Sequence, residues 1–199
     1  MTDFAYSCAN GRTENCDTFL YGDVNGDLLI SVYDGAIEKE EMASISIKGN
    51  FGMIFKKVIE CLKNRNDYKA ECDKKGTFCT CLVHKNNVTV EWQGENRAYL
   101  IRKGKLYQIT ADDALALKEE GYMLDVVQGA FANHKITFAT CDGDMIFLCT
   151  DGAYGNLSNS YIAEIWRRSL SMEEFCMSLV DTSKKEGCMD NQTIVAFGI

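Results

Sequence analysis

The spacing of apolar side chains sorts the chain into strand-like and helix-like segments. Phe4, Tyr6 and Cys8 recur at a period of two, which predicts a half-buried strand. DTFLY at 17–21 and LLISVY at 28–33 predict two more, and the Asn25-Gly26 pair between them is a strong hairpin signal. Past Asp34-Gly35 the period becomes helical. Phe51, Ile54, Phe55, Val58 and Leu62 form one apolar stripe, and AIEKEEMASISIK before them predicts a further helix ending near Gly49-Asn50.

The period returns to two from Gly76: TFCTCLV and VTVEWQ flank a turn at HKNN, and RAYLIR and KLYQI flank Lys103-Gly104. Thr110 and Asp113 resemble a capping box opening a short helix that Gly121 closes. ITFATC and MIFLCT read as a hairpin across Asp142-Gly143-Asp144. Two helices follow, one carrying Ile162, Ile165 and Trp166. The other starts at Ser171 with Glu174 three residues on and turns Met172, Phe175, Cys176, Leu179 and Val180 to one face. TIVAF is a closing strand. Hairpin-linked strands with helices grouped in pairs predict an α+β fold: a four-layer α-β-β-α sandwich of two mainly antiparallel sheets flanked by helix pairs.

With 199 residues the chain has room for one good-sized core, which favours a single domain spanning 1–199. A formal charge of −8 argues against nucleic-acid binding, and the one dense basic cluster, Lys56, Lys57, Lys63 and Arg65, reads as a solvated helix face. The ten cysteines contain no CxxC pair, and several sit inside apolar runs, so buried reduced thiols are expected rather than disulfides. Cys79 and Cys81 are alternate strand residues, and His84 and His134 lie far apart, which argues against zinc. The amino terminus lacks a signal-peptide pattern and no run reaches spanning length, so a cytoplasmic protein without membrane contact is expected.

Four aspartates share a setting: Asp17 at a strand start, Asp34 and Asp151 at strand ends, and Asp190 just before the last strand. Each alone suits a turn or a cap, and Asp142 is read that way. Apolar strands, however, deliver the four to an edge of the core, where unpaired negative charge is costly unless a cation compensates it. Should Asp34, Asp151 and Asp190 converge, the all-oxygen set suits Mg²⁺ or Mn²⁺. Two such ions about 3.5–4 Å apart can activate a shared water for phosphoryl displacement. Arg12, five residues before Asp17, offers a guanidinium for the phosphate.

In that order GRTENCD, SVYDG, GTFCTC, GENRAYL, GDMIFLCTDG and DNQT resemble the motifs of the PPM family, the metal-dependent 2C-type serine/threonine phosphatases, across nearly the whole chain. The resemblance implies a β-sandwich with a binuclear Mn²⁺ or Mg²⁺ centre at one end. Asp34 would bridge both ions, the Gly35 carbonyl would ligate one, and Asp151 and Asp190 would hold the other. Asp17 would orient metal-bound water, Arg12 would bind phosphate, and Asn191 would stand just behind the ligands. The nucleophile would be a water or hydroxide bridging the ions, acting on phosphoserine or phosphothreonine in proteins, the targets of a serine/threonine kinase. A monomer is expected.

Three departures matter. Cys16 stands where the family has a glutamate, AIEKE replaces a Gly-rich continuation after Gly35, and Glu95 replaces the aspartate that holds a third ion in bacterial members. A third ion would therefore fall to a carboxylate of longer reach. The stretch from Arg97 to Asp151 is also short, which implies a trimmed flap. These departures motivate an alternative, a pseudophosphatase that binds a phosphoprotein or partner domain without turnover. A sandwich whose aspartates only make turns leaves the ordered motifs unexplained.

Overall fold

The computed structural model describes residues 4–11, 17–24, 26–34, 77–113, 118–119, 122–123 and 134–199. Two five-stranded sheets dominate. The first runs β1 (Phe4–Ala9), β12 (Gln192–Gly198), β11 (Met145–Cys149), β6 (Arg97–Arg102) and β7 (Lys105–Gln108). The second runs β10 (His134–Ala139), β5 (Asn87–Gln93), β4 (Thr77–His84), β3 (Asp27–Asp34) and β2 (Thr18–Val24). Every pairing in both is antiparallel. Three helices, α1 (Asp151–Tyr154), α2 (Asn159–Arg168) and α3 (Met172–Lys185), cover the first sheet.

Two apolar layers follow from strand alternation. Val195, Phe197, Ile146, Leu148 and Leu100 meet Ile30, Val32, Cys79, Cys81 and Val90 between the sheets. Their alternate neighbours Ile194, Ala196, Phe147, Cys149 and Tyr99 meet Ile162, Phe175, Cys176 and Leu179 of the helices. All five residues of β11 are buried, as its uninterrupted MIFLC run requires of a strand covered on both faces. The helices start where expected: the Ser158 hydroxyl accepts from the Tyr161 N–H, and that of Ser171 from the Glu174 N–H. Lys103 (φ 52°) and Gly104 (φ 73°) make the β6–β7 turn, the positive pair that a two-residue hairpin demands.

The α+β sandwich predicted from periodicity is present, with two antiparallel sheets and a helical layer on the first. The expected helices between 36 and 62, which would form the fourth layer, lie outside the described residues. Three local expectations need correction. β10 and β11 do not form a hairpin: β10 pairs with β5 in the second sheet, and β11 pairs with β6 and β12 in the first. The mostly exposed β10 is suited to an edge and the wholly buried β11 to a centre, so the Asp-Gly turn joins sheets instead.

The capping box is also absent as such. Thr110 Oγ1 accepts from the Ala98 N–H, and Asp113 accepts from the Gly94 N–H and meets His134 Nε2 at 2.5 Å. Beyond them Lys118–Glu119 pairs with Tyr122–Met123 as a minimal hairpin, β8 and β9, where a helix was expected. Long-range partners outcompeted the local cap. In β1, finally, Ala5 is the buried residue, whereas Tyr6 and Cys8 are exposed. β1 is an edge strand, so its Phe4/Tyr6/Cys8 face is only partly covered, mainly by Phe19 and Tyr21.

Candidate metal centre

The ends of several strands meet at one end of the sandwich. Thr18 pairs with Tyr33, so one step further along the antiparallel register brings Asp17 across from Asp34. Asp34 in turn pairs with Thr77 on β4. In the first sheet, Cys149 pairs with both Ile194 and Arg97, so the chain leaving β11 through Thr150 and Asp151 runs beside the approach to β12 through Asp190 and Asn191. A hydrogen bond of 2.7 Å from Thr150 Oγ1 to Asp17 Oδ2 ties the two sheets together there.

The electrostatics bring the charges of two further carboxylates to bear on Asp17. Burial pushes the Asp17 carboxyl from 3.8 up to about 6; the Thr150 and Thr193 hydroxyls oppose that rise, and the charges of Asp151 and Asp190 add to it. Residues separated by more than a hundred positions thus act on a single carboxyl.

Two glycines allow the segments to approach. A Cβ at Gly152 would lie 1.8 Å from the Asn191 carbonyl oxygen and 3.2 Å from Asp190 Cβ. A Cβ at Gly11 would lie 2.5 Å from the Met189 carbonyl oxygen and 2.8 Å from the Asn191 nitrogen. Glycine after Asp151 is thus a packing requirement: any side chain would drive α1 off the strand that carries Asp190. The Gly11 N–H donates to Asn191 Oδ1 at 2.8 Å, and the Asn191 N–H donates to Asp190 Oδ1 at 2.8 Å. Asn191 therefore fastens the end of the first strand beside Asp190.

Glu95 reaches the same end in the β5–β6 loop. Its carbonyl accepts from the Tyr154 hydroxyl at 2.5 Å, which anchors the loop to α1. Arg97 stacks 3.7 Å from the Tyr154 ring centre and grips Asp112 through two nitrogens at 2.8 and 2.5 Å. The loop is thus held by a braced arginine rather than by its own turn chemistry.

The structure brings Asp17, Asp34, Asp151, Asp190, Glu95 and Asn191 to one end of the sandwich. Arg12 and Gly35, and with them Cys16, lie outside the described residues. Among the described residues no group of three or more His, Cys, Asp or Glu side chains could hold a metal ion as the side chains lie. The end nevertheless retains buried polar capacity: Thr77 Oγ1, Asn96 Oδ1 and both amide atoms of Gln192 have no hydrogen-bond partner among the described residues. Sequence reasoning missed Thr150, Thr193, Arg97 and Tyr154. Threonine at a strand end reads as an ordinary β former, and the arginine and tyrosine show their purpose only once Asp112 and Glu95 are seen beside them.

No protein-family model matches the chain, and no curated protein sequence does. Its structure is similar to solved ones. A Streptococcus agalactiae serine/threonine phosphatase matches at 16% identity and TM-score 0.75, with all of both chains covered. The catalytic domain of the serine/threonine phosphatase PstP, in complex with two manganese ions, matches at 20% identity and TM-score 0.73, covering 99% of this chain and 97% of that one. Stp1 from Staphylococcus aureus matches at 15% identity and TM-score 0.77, covering 100% and 95%. The chain has the fold of the bacterial PPM-type serine/threonine phosphatases, and the resemblance seen in its motifs extends to the whole architecture.

Proposed function

We propose that the protein is a divergent PPM-type phosphatase that hydrolyses phosphoserine and phosphothreonine in proteins with the aid of divalent metal ions. The observation that carries this reading is the arrival of Asp17, Asp151 and Asp190, from the start of β2, the end of β11 and the approach to β12, at one end of the sandwich, where Asp17 feels the charge of the other two. Gathering like charges at one end of the molecule is unfavourable without a compensating cation. The donor set is all oxygen, as Mn²⁺ or Mg²⁺ prefers, and the Thr77, Asn96 and Gln192 atoms without a partner among the described residues are suited to bound water. The residues present therefore fit the group.

Asp34, the Gly35 carbonyl, Asp151 and Asp190 would hold two ions, with Glu95 the candidate for a third. Bound there, the ions supply charge neutralisation and an activated water for in-line displacement. Asp17 orients and accepts protons through its carboxylate, held by Thr150. Arg12 grips the phosphoryl oxygens, and Asn191 fixes the position of Asp190 through the backbone of its neighbours. The cysteines take no part: Cys79, Cys81 and Cys149 are buried thiols whose proton affinity is raised by burial, the opposite of a nucleophile's need. Phosphorylated proteins are the substrate class, and the catalytic unit is the single domain spanning 1–199, acting as a monomer.

The test is hydrolysis of an aryl phosphate and of a phosphothreonine peptide with added Mn²⁺. Asp34→Asn is expected to lower turnover at least about 1,000-fold, roughly 4 kcal/mol of barrier. Turnover that is indifferent to metal removal contradicts the reading.

One observation favours a second reading. Asp17 feels the charge of Asp151 and Asp190 without a ready cage forming among the described residues, and in the sequence Cys16 stands where the motif calls for a glutamate. A pseudophosphatase would bind phosphoprotein or a partner domain with at most one ion. Calorimetry showing two ions together with turnover excludes it.

A further inference from the structure

We infer that Thr150 is a positioning residue, whose hydroxyl locks the Asp17 carboxylate in place across the two sheets. The inference rests on the metal-site reading above. Thr150 is fully buried at the junction of β11 and α1. Its N–H donates to the Thr193 carbonyl at 3.0 Å, and its Oγ1 accepts from the Thr193 N–H at 3.0 Å. With the hydroxyl already accepting from that side, its single proton is directed to Asp17 Oδ2 at 2.7 Å.

The direction of this bond is therefore fixed by the backbone of β12. Asp17 Oδ2 is occupied as an acceptor, and rotation of the carboxylate about its own axis is arrested. Thr150 stands at the N-cap of α1, where a threonine hydroxyl ordinarily accepts from a helix N–H, yet it makes no such cap bond. The hydroxyl has been diverted from the local use to the long-range one. β-branching helps, because it leaves few χ1 rotamers from which the hydroxyl can stray.

Serine preserves the hydroxyl, valine preserves the shape without it, and cysteine keeps similar bulk with a weak donor. Mn²⁺ affinity, read by calorimetry on the purified chain, is expected to fall about 10–100-fold in Thr150→Val, the usual cost of removing a hydrogen bond behind a metal ligand. Thr150→Ser should stay within about threefold of wild type, on the same principle, because it keeps that bond. In an Asp17→Ala background, Thr150→Val should cost little more, since the acceptor of its hydroxyl is gone; a purely structural role would give additive losses. With an aryl phosphate, kcat should fall in Thr150→Val while KM holds.

Unchanged Mn²⁺ affinity in Thr150→Val, or full additivity with Asp17→Ala, overturns the inference while leaving the metal site intact. A wild-type chain that binds no Mn²⁺ overturns the metal reading and this role with it. Should Thr150→Val fail to fold, the Thr, Ser and Cys series decides: the cysteine variant is expected to be weaker than the other two, and equal affinity in all three overturns the assignment.

Discussion

The two ends of the sandwich treat acidic residues in opposite ways. At the turn end, Asp144 has a side chain only 1% exposed, yet it accepts from Arg102 Nε and Nη2 at 2.8 and 2.6 Å and from the Cys141 N–H at 2.8 Å. Asp27 pairs with His84 Nδ1 at 2.6 Å at the same end. At the other end, Asp17 accepts from the Thr150 hydroxyl and feels the charges of Asp151 and Asp190. The arginine contact holds the Asp144 carboxyl below its ordinary range, whereas burial holds that of Asp17 above it. Burial alone thus does not mark a functional carboxylate. What separates the two is that Asp144 and Asp27 each meet a base, whereas Asp17 meets a hydroxyl and the charge of further acids.

The comparison can be broken most directly at Gly152. Gly152→Ala places a methyl group against the rigid Asn191 carbonyl, so a loss of about 4 kcal/mol or more is expected in urea unfolding. A variant as stable as wild type would mean that α1 and the approach to β12 are not pressed together. Next in size is Asp144→Ala, which leaves Arg102 without its partner. Because Arg102 is 30% exposed and can turn to water, a loss of about 2–3 kcal/mol is expected, with Mn²⁺ affinity unaltered. A change in metal affinity there would erase the contrast between the ends.

The smallest effect has the opposite sign. The folded-state value for Asp17, about 6 against 3.8, means that the folded protein holds this proton more tightly than the unfolded chain does. Metal-free protein should therefore lose stability as pH rises from about 4 to about 6 and level off above, with a total of order 1–3 kcal/mol from this group. Asp17→Asn removes the penalty: metal-free melting near pH 7.5 should rise by about 3–6 °C and stay unchanged near pH 4. Added Mn²⁺ should stabilise wild type more than the variant. A lower melting temperature for Asp17→Asn at neutral pH would refute crowding as the feature of this end.

Much of this architecture was legible because the strands carry strong period-two signals and the turns carry their own chemistry. MIFLC could only be a central strand, and Asp34, Asp151 and Asp190 could be picked out because each follows or precedes such a run. The pairing of β10 with β5 was not legible: Asp142-Gly143-Asp144 has the same local grammar whether it closes a hairpin or turns a corner between sheets. Asp144 itself shows the difference only through Arg102, 42 residues away. Thr110 and Asp113 misled for the same reason, since their partners Ala98, Gly94 and His134 are distant in sequence. Thr150 was invisible because its importance lies in the direction of one proton, which only the neighbouring backbone determines.

The position of β12 carries a consequence for how the molecule is made. The last strand along the chain is inserted between β1 and β11 and brings Asp190 and Thr193 with it. A nascent polypeptide can therefore complete its second sheet while the carboxylate cluster still lacks a wall. The site closes only when residues 190–198 emerge from the ribosome and zip between two strands separated by more than a hundred positions, a slow non-local step. Until then the first sheet lacks the strand between β1 and β11, and the carboxylate cluster lacks the wall that carries Asp190.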